Sequence, residues 1–171
     1  NGRSTENCAR EGSDYNSFYV FGKELRSDLI PYIEAHYSTY AVEGDSSASR
    51  MHRAMAGLSM GGMQTINIGI GECMDLFSYF GAFSAAPTSN PAEKTAKILE
   101  DTPYNIDYFY NICGMEDEIA YDSAAAAAKN LPDLCDKLTE PDNFIWQELK
   151  GMHDFHIWYL GFFNFAQIAF K

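Results

Sequence analysis

The spacing of apolar residues changes several times along the chain, and each change marks a predicted element. Apolar side chains three to four residues apart predict a helix that begins at Ser17 and that Gly22 and Pro31 would weaken or bend. They are Phe18, Phe21, Leu25, Leu29 and Ile33. Short apolar runs predict four strands, over residues 53–57, 79–83, 107–113 and 143–149. Three further helices are predicted over residues 60–70, 121–129 and 155–170, the second of them with five consecutive alanines.

Strands that alternate with helices are typical of an α/β fold. We therefore predict a mostly parallel sheet with helices on both faces. The polar first sixteen residues and the turn-rich residues 43–49 predict irregular segments. Because neither an internal repeat nor an interdomain linker interrupts this order, residues 1–171 are interpreted as a single domain.

The charge and the apolar runs exclude two classes of partner. The formal net charge is −12 and no cluster of Lys or Arg offsets it, so a nucleic acid would be repelled. No apolar run reaches the roughly 20 residues that span a bilayer. The most apolar stretch, residues 157–170, is interrupted by Gly161, Asn164 and Gln167 and is interpreted as a packed helix. We expect no nucleic-acid or membrane partner.

Four cysteines are spread widely along the chain: Cys8, Cys73, Cys113 and Cys135. Their spacing excludes a compact zinc knuckle, and no metal site is predicted. In a secreted protein they could form up to two disulfides, with three possible pairings. Cys113 lies in a predicted strand and is interpreted as a buried free thiol.

The segment Gly57-Leu58-Ser59-Met60-Gly61 carries the first sign of chemistry. It follows a predicted strand and precedes a predicted helix, which is the context of a nucleophile elbow. In an elbow, small flanking residues allow a sharp turn that exposes the serine hydroxyl at the sheet edge. Ser59 is therefore the predicted nucleophile, and the backbone N–H of Met60 is the predicted oxyanion donor.

A serine nucleophile needs a base and an acid, which follow it along the chain in this type of fold. Of the two later histidines, His153 lies in a loop after the fourth strand and is preferred to His156, which begins the last helix. The turn after the third strand offers Glu116 and Asp117 as near-equal acids, with Asp122 slightly further along. His36 and His52 precede the elbow and are interpreted as structural.

Three blocks of this sequence resemble the active-site blocks of the feruloyl esterases of carbohydrate esterase family 1, which are α/β-hydrolases. They are Arg53-Ala-Met-Ala-Gly-Leu-Ser-Met-Gly-Gly62, Ile112-Cys-Gly-Met-Glu-Asp117 and Gly151-Met-His-Asp-Phe-His-Ile-Trp158. The resemblance implies Asp117 as the acid and His153 as the base. It also implies that Trp158 lines an aromatic acyl pocket and that Asp14 binds the substituents of a phenolic ring.

The same resemblance implies a function. The expected substrate is feruloylated arabinoxylan or a xylo-oligosaccharide of plant cell walls, without a cofactor, and the expected location is extracellular. Alternatives are an esterase for acetyl or other short acyl groups, an acyltransferase, and a binding module that keeps the fold without catalysis. A fluorophosphonate probe separates the last of these, since it labels only an activated serine.

One departure from the family concerns the residues before the elbow. The family builds several strands before the elbow strand, and a loop after an early strand supplies another oxyanion donor. Here the residues before Ser59 predict a loop and a helix without a strand pair. We therefore expect that the chain lacks the N-terminal part of the domain, that a sheet edge is exposed and that the second donor lies elsewhere.

Overall fold

A computed structural model describes Phe18 and residues 20–171. Its centre is a four-stranded sheet made of β1 (Ala54–Leu58), β2 (Tyr79–Phe83), β3 (Tyr108–Gly114) and β4 (Phe144–Leu149). Every neighbouring pair is parallel, and the strand order is β1-β2-β3-β4. The predicted parallel sheet is confirmed, with strand boundaries that differ from the predicted ones by at most one residue.

Helices fill the connections between the strands. Before β1 lie α1 (Phe21–Glu24), a π-helical segment (Leu25–Leu29), α2 (Ile30–His36) and α3 (Ser46–Arg50). After β1 come α4 (Met60–Gln64) and a second π-helical segment (Thr65–Ile70). The remaining helices are α5 (Ala92–Asp101), α6 (Tyr121–Ala128), α7 (Leu131–Leu134) and α8 (Phe155–Ile168). Within the part of the chain that the structure describes, none of the helices is both long and apolar enough to cross a membrane.

The central strands β2 and β3 are buried on both faces of the sheet, to which their alternate residues point. One face carries Phe80, Phe109 and Phe144, which lie side by side across β2, β3 and β4 and pack under the helices that follow the first three strands. The other face carries Phe83 and Ile112, which pack against α8. Helices therefore cover both faces, as the sequence predicted.

Helix α8 lies close to the sheet because a glycine on each element leaves room for a large apolar side chain of the other. A Cβ on Gly161 would approach Ile112 to 2.7 Å, and one on Gly81 would approach Phe165 to 3.2 Å. This close packing places the start of α8, and the loop before it, directly at the carboxyl ends of the strands.

The structure differs from the sequence-based expectations in a few elements. The predicted first helix contains a π-helical segment just before Pro31, which has no backbone N–H to continue the regular ladder. The predicted helix over residues 60–70 is likewise π-helical in its second half. Residues 43–49 were expected to be irregular, yet Asp45 caps α3 by accepting a hydrogen bond from Ala48 N at 2.9 Å. Helices α5 and α7 were not predicted.

The thiols of Cys73, Cys113 and Cys135 are buried and free. The interpretation of Cys113 as a buried free thiol is confirmed. Cys8 and Asp14 lie outside the described residues.

Candidate active site

Ser59 occupies the sharp turn between β1 and α4. Its backbone has φ 52° and ψ −115°, a conformation that residues other than glycine rarely adopt. Hydrogen bonds hold the turn: Ser59 N donates to Phe83 O at 2.9 Å, and Ser59 O accepts from Met63 N at 3.1 Å and Ala86 N at 3.0 Å. Strain held by surrounding bonds is typical of a functional position. The turn lifts the hydroxyl to the carboxyl end of the sheet.

Two glycines make this turn possible by allowing close backbone contacts. A Cβ on Gly57 would overlap the backbone of Gly61. A Cβ on Gly62 would lie 3.0 Å from Ala85 Cα, on the segment that follows β2. By contrast, a Cβ on Gly61 would meet nothing within 4 Å among the described residues. The strand and helix therefore depend sterically on Gly57 and Gly62.

His153 lies in the short loop between β4 and α8. Its Nε2 is 3.0 Å from Ser59 Oγ, and its Nδ1 is 2.7 Å from Asp117 Oδ2. The ring packs edge-on against Trp158, with centroids 5.0 Å apart. His156, the alternative base, is an exposed residue of α8. The structure thus brings His153, and not His156, to the serine.

Asp117 follows β3, and its carboxylate is held by His153 and by two backbone amides. Whereas Oδ2 faces His153, Oδ1 accepts hydrogen bonds from Ile119 N at 3.1 Å and Ala120 N at 2.8 Å. Its side chain is fully buried. Burial by itself raises the pKa of a carboxyl group, but the hydrogen bonds from His153 and Ala120 outweigh it, so the pKa of Asp117 is below its usual value. The carboxylate is therefore the form in which Asp117 faces the imidazole.

The other predicted acids lie apart from this line of hydrogen bonds. Glu116 is exposed and is 3.8 Å from Lys150, and Asp122 is exposed in the first turn of α6. His36, at the end of α2, stacks on the Tyr32 ring and has its Nδ1 2.8 Å from Tyr32 O. His52, which lies before β1, packs against the Tyr40 ring.

Met60 and Trp158 are both next to the hydrogen-bonded residues. Met60 is the first residue of α4, and the N–H groups of a first helical turn have no partner within the helix. Trp158 is 9% exposed, with Phe155 packed edge-on against it at 5.0 Å. Its Nε1 is buried without a hydrogen-bond partner among the described residues. Trp158 is thus mainly a packing residue that borders His153.

An apolar cavity of about 600 Å³ lies between β1 and the helices before it. It is lined by Leu25 and Met55 and reaches Gly61 and Gln64 behind the elbow. None of the three hydrogen-bonded side chains lines it, so this cavity is separate from the Ser59 hydroxyl. Within the described residues, no group of three or more His, Cys, Asp or Glu side chains is placed to hold a metal ion.

A parallel sheet with a strained serine after one strand, and an acid and a histidine after later strands, defines the α/β-hydrolase class. The chain belongs to the putative esterase family, whose model matches residues 2–158. The resemblance that the sequence suggested is thus confirmed at the level of this family and fold.

Relatives with known names or structures agree with this assignment. Over 85 residues the chain is 38% identical to endo-1,4-beta-xylanase Y of Acetivibrio thermocellus. This match covers 47% of the chain and 8% of the xylanase. The fold of this chain is similar to that of a CE1 ferulic acid esterase of Anaeromyces mucronatus (TM-score 0.72, 24% identity). The structural match covers 96% of this chain and 60% of the esterase. The fold is also similar to that of the S-formylglutathione hydrolase of Staphylococcus aureus (TM-score 0.60, 18% identity), covering 92% of this chain and 65% of the hydrolase. The chain therefore spans about 60% of the length of the ferulic acid esterase.

Proposed function

We propose that this chain carries the catalytic residues of a serine esterase that hydrolyses feruloyl or related hydroxycinnamoyl esters of plant cell-wall xylan. One observation supports the chemistry above all others. Ser59 Oγ, both ring nitrogens of His153 and the carboxylate of Asp117 form one continuous line of hydrogen bonds. Such a line converts a weakly nucleophilic hydroxyl into a reactive one.

In the proposed reaction, Ser59 Oγ attacks the ester carbonyl while His153 Nε2 takes the hydroxyl proton. The resulting imidazolium is stabilised by the Asp117 carboxylate, which remains ionised throughout. The protonated His153 then gives its proton to the departing sugar alkoxide, which leaves an acyl group on Ser59. A water molecule, deprotonated by His153, cleaves this acyl-enzyme to the free acid and regenerates the Ser59 hydroxyl.

The carbonyl oxygen becomes negatively charged in each tetrahedral intermediate and needs hydrogen-bond donors. The N–H of Met60 is the donor that we assign, because it follows the nucleophile directly at the start of α4. Losing such a donor typically reduces turnover about 100- to 1,000-fold.

The substrate class rests on the relatives. The Anaeromyces esterase is a ferulic acid esterase whose structure is also known in complex with ferulic acid. The relative from Acetivibrio is a xylanase. An ester that joins ferulic acid to xylan fits both names. In this proposal Trp158 borders the acyl group, Asp14 contacts the phenolic ring, and the protein acts outside the cell on feruloylated arabinoxylan or its oligosaccharides.

The test is to compare the full chain with its Ser59→Ala variant on methyl ferulate and on an acetylated xylo-oligosaccharide. We expect turnover of methyl ferulate to fall about 10⁴-fold or more in the variant, and labelling by a fluorophosphonate probe to be lost. Ser47→Ala is the matched control, since Ser47 is an exposed residue of α3. Unchanged turnover in Ser59→Ala would overturn the mechanism. Faster turnover of the acetyl ester would instead favour a short-chain acyl esterase.

A further inference from the structure

Ser84 directly follows β2 and is fully buried. Its backbone has φ 44°, in the left-handed region that favours glycine. Its N–H donates to Ile112 O at 2.8 Å, so the strained residue is tied to the neighbouring strand β3. A buried hydroxyl in a strained position needs a hydrogen-bond partner and points to a specific role. No feature of the sequence singled Ser84 out.

The side chain of Ser84 lies beside the buried thiol of Cys113 and the carboxylate of Asp117. Cys113 Sγ is 3.8 Å from Ser84 Oγ and 3.7 Å from Asp117 Oδ2. The Ser84 hydroxyl also acts on the Asp117 carboxylate, since it lowers the pKa of that group. Oδ2 is also the oxygen that faces His153 Nδ1. The three side chains therefore form one buried cluster behind the imidazole.

We propose that Ser84 is a positioning residue of the triad: its hydroxyl donates to the Asp117 carboxylate and, together with the Cys113 thiol, fixes the oxygen that orients His153. This inference rests on the proposed function, because positioning matters only if the triad is catalytic. The backbone amides of Ile119 and Ala120 already hold Oδ1 from the other side. Ser84 and Cys113 complete this support around Oδ2.

The hydrogen bond from Ser84 also favours the ionised form of Asp117. It acts in the same direction as those from His153 and Ala120, against the burial that raises the pKa. The titratable groups facing Asp117 are His153, from the loop after β4, and Cys113, from β3. Burial raises the pKa of Cys113 to about 12, so it faces Asp117 as a neutral thiol. Glu116 and Glu118, its chain neighbours, are exposed.

The test uses two variants that remove the hydroxyl in different ways. Ser84→Ala keeps the Cβ and its strain, whereas Ser84→Gly suits the positive φ and relieves the strain. The matched control is Ser78→Ala, because Ser78 is equally buried, lies at the opposite end of β2, and donates to Arg50 O at 3.1 Å. Each protein is assayed on methyl ferulate over a range of pH.

We expect kcat to fall about 10-fold in both Ser84 variants with little change in KM, because each loses a hydrogen bond to a charged group. The acid limb of the kcat/KM profile, which reports the coupled Asp117–His153 pair, should move to higher pH by about 0.5 to 1 unit. Its direction follows from the lost donor, whose absence raises the pKa of the carboxylate. Ser78→Ala should leave both quantities unchanged.

Wild-type kcat and an unmoved acid limb in Ser84→Gly would overturn the inference and reduce Ser84 to a packing residue. A shift of the limb to lower pH would contradict it as well. The NMR signal of the His153 Nδ1 proton gives an assay that needs no turnover. We expect that signal to move in both Ser84 variants and not in Ser78→Ala. If the wild type hydrolyses no ester, the proposed function fails, while this signal still decides whether Ser84 acts on the Asp117–His153 bond.

Discussion

Gly114 and Gly151 are in direct backbone contact where β3 and β4 end. A Cβ on Gly114 would overlap the Gly151 carbonyl group, so only glycine fits at position 114 without movement. Two hydrogen bonds join the same segments: Met115 N donates to Leu149 O at 2.8 Å, and Glu116 N donates to Gly151 O at 2.9 Å. Asp117 lies three residues after the first glycine and His153 two after the second. This contact therefore sets the separation between Asp117 and His153.

Gly114→Ala should separate these two loops. The added methyl group must displace Gly151 or Met152, whose carbonyl oxygens are the atoms in its way, and His153 moves with them. We expect kcat/KM on methyl ferulate to fall about 100-fold, because small misplacements of catalytic groups are expensive. The free energy of unfolding should fall by about 1 to 3 kcal/mol. Denaturant titration and steady-state kinetics measure the two effects.

The control for this variant is Gly71→Ala. A Cβ on Gly71 would make only ordinary contacts, 3.6 Å from Ile66 O and 3.8 Å from Asn90 Nδ2. Its kcat/KM should equal that of the wild type. Equal activity in Gly114→Ala would show that the glycine contact does not set the position of His153.

Asp117→Asn should test the identity of the acid. An amide cannot accept the His153 Nδ1–H in the same way and favours the wrong ring tautomer, so we expect kcat to fall about 10⁴-fold with little change in fold. Glu116→Gln is the matched control, because Glu116 precedes Asp117 but is exposed. Its kcat should stay within about 2-fold of the wild type, as for most surface changes. The opposite ranking would move the acid to Glu116.

Much of the fold was predictable because its signals are local. The strand runs are short and apolar, and their boundaries agree closely with the sheet. Helix α5 was missed although its buried residues have helical spacing: Ala92, Thr95, Ala96 and Leu99. Two of these are alanine and one is threonine, so the apolar stripe is weak in the sequence. Pro31 marked a disturbance of the first helix in the sequence, but the second π-helical segment, Thr65–Ile70, has no such residue to signal it.

The site was predictable in part, for a different reason. The turn at Ser59 has a local signature, but the choice between Glu116 and Asp117 depends on which side chain is buried against His153. The residues by themselves left that choice open, and only the family resemblance favoured Asp117. Ser84 could not be found, because its role depends on the ends of β2 and β3 lying side by side. Adjacent strand ends are a property of the sheet, not of any segment.

His153→Ala should remove the proposed base. Without it, nothing takes the Ser59 proton, and we expect kcat to fall about 10⁵-fold, as for the loss of a triad member in other serine hydrolases. His156→Ala provides the comparison, since it changes the other histidine downstream of the elbow at an exposed position of α8. Hydrolysis of methyl ferulate should be nearly unchanged there. If His156→Ala loses activity and His153→Ala does not, the base is His156 and the assignment to His153 is wrong.

A cluster at the end of β4 should make stability depend on pH. Glu148 Oε1 accepts hydrogen bonds from Lys129 Nζ at 2.7 Å, Trp146 Nε1 at 2.9 Å and Tyr121 OH at 2.7 Å. These hydrogen bonds lower the pKa of Glu148 to about 2, and the bond from Lys129 contributes most. Because this folded-state pKa lies below that of the unfolded chain, the stabilisation is complete above the unfolded value of about 4.3 and is lost as the pH falls toward 2.

Glu148→Gln should therefore reduce the free energy of unfolding at pH 7 and make its decline between about pH 5 and pH 2 shallower than in the wild type. Denaturant titrations at several pH values measure both effects. Asp101→Asn is the control, because among the described residues Asp101 forms only an exposed pair with Lys97; this variant should leave the decline unchanged. If the Glu148→Gln and wild-type curves stay parallel down to pH 2, the hydrogen bonds to Glu148 do not stabilise the folded state.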